Sequence, residues 1–151
     1  MLIIKKEDTP IFVLFGIYYL REQLHAYIEV LESQTFHVAR LLGGDSAKRL
    51  LVQKQNLLNG SSRFFSQLRY ADIDDPDLFN PPEMVWISVT DIENCALQEE
   101  LVLYLMKYDE SLMKWCYWFL SEEDINLEIS RYFYEVIKSC KEDVELLSEM
   151  H

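Results

Sequence analysis

The sequence is poor in the residues that interrupt regular structure and in those that carry common chemistry. It has four Gly, four Pro, three Cys and three His in 151 residues. So little Gly and Pro excludes a collagen-like or low-complexity chain. The cysteines, Cys95, Cys116 and Cys140, are odd in number and far apart. No CxxC occurs, which argues against a zinc cluster. Free thiols in a reducing cytoplasm, mostly buried, are the expectation. Long hydrophobic runs are also missing. The longest, IFVLFGIYYL at residues 11–20, is half of the roughly 20 residues that a bilayer demands. REQLH follows it instead of a small-residue cleavage site, so it does not read as a signal peptide. A cytoplasmic chain with no membrane partner is expected. No Gly-rich phosphate loop, Gly-x-Ser-x-Gly elbow or His-Glu-x-x-His is present. No catalytic residue is assigned, and a non-enzyme is favoured.

Positive charge is scarce. Fourteen Lys/Arg face twenty-six Asp/Glu, a net charge of −12. The deficit lies in the second half: residues 1–70 hold nine basic and six acidic residues (+3), residues 71–151 five and twenty (−15). Such a chain repels phosphate backbones, which excludes nucleic acid, and it repels anionic membranes. A basic protein or a metal cation suits its field.

What is abundant is apolar surface. Half the residues are hydrophobic and 13% are aromatic, with nine Tyr, eight Phe and three Trp. Burying each aromatic gains roughly 1.5–3 kcal/mol by area. Thr9-Pro10 opens a helix whose stripe runs Ile17, Leu20, Leu24, Tyr27, Leu31, Val38, and Gly43-Gly44 closes it. Asp45 or Ser46 caps a second helix through Leu50, Leu51, Leu57 and Leu58, interrupted at Asn59-Gly60. It is the basic part of the chain, with Lys48, Arg49, Lys54, Arg63 and Arg69, whose expected role is to pair with the acidic half. Residues 70–83, YADIDDPDLFNPPE, contain three prolines and read as a long connection. VWISV, residues 85–89, fits a short strand or a helix start, with helix preferred and Thr90 or Asp91 as a cap. The third stripe is Leu101, Leu105, Tyr108, Leu112, Trp115, Phe119. Ser121 with Asp124 resembles a capping box. The last stripe is Ile125, Ile129, Tyr132, Val136, Cys140, Val144, Leu147.

Two helices, a long link and two helices predict an all-α, single-domain four-helix bundle spanning residues 1–151, with a crossover between its helical pairs. This layout resembles that of ferritin-like proteins. Glu22-Gln-Leu-His25 matches the Glu-x-x-His that the family uses, and Glu29 lies one turn further on. The resemblance implies iron, manganese or zinc held by Glu22, His25 and Glu29. The sequence departs from the family in lacking a second Glu-x-x-His: His37 is preceded by Gln34, and His151 is the last residue. The site is therefore expected to be reduced or altered, and the other reading, acids on the wet flank of a buried helix, is preferred.

Two features point instead to a protein partner. Asp72, Asp74, Asp75 and Asp77 form an acidic loop. Asp72, Asp74 and Glu83 have partial calcium-loop spacing, but Asp77 stands where that loop needs Gly, and prolines intrude. Seven aromatics flank the junction of the last two helices. Trp118 and Tyr134 fall off the core stripe, which suggests a second buried surface. A homodimer, a partner groove or an apolar ligand would each cover it. The expected function is a non-catalytic acidic helical protein that binds another protein, a basic one by charge. Immunity proteins, antitoxins, inhibitors and chaperones have this character.

Overall fold

The computed structural model describes residues 11–64, 87–121 and 127–150, with side chains from Gly16 onward. The described residues are helical, with no strand among them. Six helices follow one another: α1 (Ile11–Ser33), α2 (Thr35–Leu42), α3 (Gly44–Gly60), α4 (Val89–Asn94), α5 (Gln98–Leu120) and α6 (Leu127–Ser148). A 3₁₀ turn, Ser61–Phe64, prolongs α3. The expected break at Asn59-Gly60 is absent, because α3 runs through Gly60 into that turn. The loop aspartates and the Ser121–Asp124 box lie outside the described residues, wholly or in part.

The long first helix predicted up to Leu42 is divided at Gln34 (φ −113°, ψ 28°). Beside the division the hydroxyls of Ser33 and Thr35 donate to Val30 O at 2.9 Å and Glu32 O at 2.7 Å, while Gln34 N–H keeps its bond to Val30 O at 3.0 Å. Gly43 adopts φ +91°, where a side chain is strained, and its N–H donates to Ala39 O at 2.8 Å. It also precedes α3 without a side-chain cap, so neither Asp45 nor Ser46 is the cap. Ile87 and Ser88 precede α4, and Ser88, not Thr90 or Asp91, caps it by accepting from Asp91 N–H.

The predicted stripes form the core. Ile17, Leu20, Leu24 and Tyr27 of α1 are buried, as are Leu105, Tyr108, Leu112 and Phe119 of α5 and Ile129, Tyr132 and Val136 of α6. Val102, Cys116, Phe133 and Ile137 are buried as well, so α5 and α6 bury more than one row each. α5 packs along α6, and α3 contacts both α1 and α6. Gly16 permits a close approach, since a Cβ there would enter the Phe119 ring. Two buried tyrosines tie helices through their hydroxyls. Tyr108 donates to Gln23 O and Tyr132 to Leu57 O, both at 2.9 Å. His37 fastens α2 to the end of α4. Its Nε2 lies 3.0 Å from Ile92 O and 2.8 Å from Cys95 O. Both partners are carbonyls, so Nε2 carries the hydrogen and donates. Nδ1 then accepts from Arg40 at 3.1 Å.

Candidate functional site

The main concentration of ionisable chemistry among the described residues lies inside the core. α3 places Lys54 between Leu50 and Leu57, a slot that the helix period turns inward. α5 contributes Asp109 beside Tyr108, and α6 contributes Asp143 one turn past Cys140. Lys54, Asp109 and Asp143 are each 0% exposed. Lys54 Nζ donates to Asp109 Oδ1 at 2.7 Å and to Asp143 Oδ2 at 2.6 Å. These are short, charge-assisted contacts between three helices. The ammonium also stands 5.0 Å from the centroid of the Tyr27 ring, a cation–π distance.

The surroundings complete this cluster. The Tyr27 and Tyr108 rings meet at 5.1 Å, tilted by 34°, and Cys140 lies on the same inward row of α6 as Asp143. With its amide nitrogen turned to Asp143, Gln53 donates to Oδ1 at 2.6 Å, and its oxygen accepts from Arg49 Nε at 3.3 Å. Asp143 thus accepts at both oxygens, whereas Asp109 Oδ2 is buried and has no hydrogen-bond partner. Burial by itself lowers the pKa of Lys54, but the carboxylates of Asp109 and Asp143 offset this and hold it well above the usual lysine value. Burial raises Asp109 against the opposing pull of Lys54. It raises Asp143 to about 6, again against Lys54. Burial likewise pushes Tyr27, Tyr108 and Cys140 well above their ordinary values, so all three are neutral.

The sequence analysis assigns no site role to Lys54, Asp109 or Asp143. The available signal was a lysine within a leucine row and aspartates within apolar rows. Val144, expected on the buried stripe, is half-buried, and Asp143 takes the inward place. The expected pairing of the basic helix with the acidic half does occur, but its main instance is buried. On the surface, Arg63 Nη2 meets Glu135 at 2.9 Å.

The residues that were singled out lie elsewhere. Glu22, His25 and Glu29 are exposed on α1. Among the described residues, no group of three His, Cys, Asp or Glu is placed to hold a metal. Trp118 is half-buried and meets the Phe119 ring edge-on at 4.8 Å. Tyr134 is 58% exposed, and Tyr117 and Leu127 are exposed near the same junction. A separate apolar groove of about 280 Å³ lies between α2 and α3, lined by Leu31, Val38, Ala39, Ala47 and Leu51 with Lys48. Cys95, Cys116 and Cys140 are free and buried. No described helix is long and apolar enough to cross a membrane.

Compared with protein families, with curated proteins and with solved structures, the chain matches none.

Proposed function

We propose that this chain is a non-catalytic, acidic, cytoplasmic helical protein that binds another protein, with a basic surface as the fitting partner. The architecture that belongs to this reading is a four-helix bundle. Its members are α1 with α2, α3, α5 and α6, with a crossover between the two helical pairs. The observation that carries the reading is the apolar surface at the α5–α6 junction. These helices bury several rows of side chains and still present Tyr117, Leu127 and Tyr134 to solvent, beside half-buried Trp118. Tyrosine and tryptophan are favoured anchors of protein interfaces. Exposed Glu99, Glu100, Glu110 and Glu145 on the same two helices supply the charge that steers a basic partner. The core cluster also supports a binding role over a catalytic one, because its charged groups are shielded from substrate.

The test is cross-linking of the chain to proteins of its source, followed by titration of the purified partner. Tyr134→Ser is expected to weaken affinity by at least tenfold, as loss of an interface anchor does. Affinity is expected to fall as salt rises. Cross-links confined to other faces, with Tyr134→Ser binding like wild type, would refute the placement of the interface.

A further inference from the structure

We propose that the Lys54–Asp109–Asp143 cluster is a proton-binding site of the folded core: in mildly acidic solution the two carboxylates take up one proton between them. The reason is charge balance in a sealed volume. Lys54, Asp109 and Asp143 are the buried charged side chains among the described residues. One ammonium faces two carboxylates at 2.7 and 2.6 Å. Fully ionised, the cluster holds one uncompensated negative charge away from water, which is costly. One added proton makes it neutral without breaking either contact to Lys54. The reaction is uptake of a solvent proton by a carboxylate, giving a carboxylic acid.

The groups packed around the cluster leave that charge uncorrected. α1 contributes the neutral phenol of Tyr27. α3 contributes Lys54 itself, the amide of Gln53 and Arg49, an exposed cation whose pull on Asp143 is the weakest of those acting there. α5 contributes Tyr108, which is neutral, and Glu110, which is exposed and of the wrong sign. α6 contributes the hydroxyl of Ser139 and the neutral thiol of Cys140. One ammonium bridges Asp109 Oδ1 and Asp143 Oδ2, so the pair titrates as a unit. Half-buried Gln53 and Ser139 lie between Asp143 and the surface.

The sign follows from linkage. The folded state holds this proton up to a pH of about 6, whereas an unfolded aspartate releases it near its ordinary value of 3.8. Between those values the folded state binds more protons, so the cluster favours folding increasingly as pH falls through 6. From pH 7.5 to 5.0 this raises the folding equilibrium constant by about tenfold. Asp143→Asn fixes the cluster near neutrality and removes the effect.

The test has two parts: urea unfolding of wild type and Asp143→Asn at pH 7.5 and 5.0, and ¹³C NMR titration of the aspartate carboxyls of the wild type. The expected result is a rise about tenfold larger in wild type than in the variant, with an aspartate Cγ resonance titrating between pH 5 and 7. If Asp143→Asn does not fold, the NMR titration decides. Equal pH dependence in both proteins, or aspartate resonances that stay flat from pH 7.5 to 5.0, would overturn the proposal.

Discussion

Lys54 spans three helices with one ammonium, and its removal is expected to cost more than a surface lysine could. Lys54→Ala leaves two buried carboxylates with no cation. That loss is expected to destabilise the fold by about 3–5 kcal/mol, measured by urea unfolding at pH 7.5. Replacing all three charges together, Lys54→Met with Asp109→Leu and Asp143→Leu, is expected to restore most of that loss, because no unpaired charge remains. A triple variant no more stable than Lys54→Ala would show that packing, not charge balance, governs the site. At this scale the sequence was only partly legible. Period arguments place Lys54 on the leucine row, yet a lone lysine there reads as one whose ammonium reaches out to water. The partners that hold it inside are 55 and 89 residues away, and no local pattern announces them. The Glu22–His25–Glu29 spacing was legible for the opposite reason: it is local, and spacing alone cannot decide whether a helix flank faces water.

The helices themselves were read more fully, because a repeated stripe samples many residues and tolerates errors at any one. The rows through Leu24 and Tyr27, through Leu105 and Leu112, and through Tyr132 and Val136 are buried as expected. The misread points are ends and joints: the division at Gln34, the run of α3 through Gly60 and the Ser88 cap. Each depends on a few hydrogen bonds rather than on periodicity. Gly16 is another local feature that tertiary contact decides. In an isolated helix Gly16→Ala would be favourable by up to about 1 kcal/mol. Here the added methyl meets the Phe119 ring, and overpacking costs about 1–3 kcal/mol. The expected result is a lower urea midpoint with an unchanged slope. A higher midpoint would mean that α1 and α5 yield to one another without loss.

At the scale of the whole molecule, cysteine chemistry reports on how tightly the core is closed. All three thiols are buried, and burial raises the pKa of Cys116 and Cys140 well above the ordinary value. Neutral, covered thiols are slow nucleophiles. Native protein at pH 7.5 is expected to resist a thiol reagent over minutes, and three thiols per chain to react in urea. Rapid modification of Cys140 in the native state would contradict the sealed cluster. The charge asymmetry, by contrast, was legible outright, since it is a sum over residues and needs no fold. What it attracts was not legible, because the partner's half of an interface is written in another sequence. Native mass spectrometry of the protein purified gently from its source, without chelator, tests the proposed function most directly. The expected spectrum shows this chain at its bare mass within a complex containing a second, different protein chain. A chain carrying one or two metal ions, with no partner protein, would contradict it.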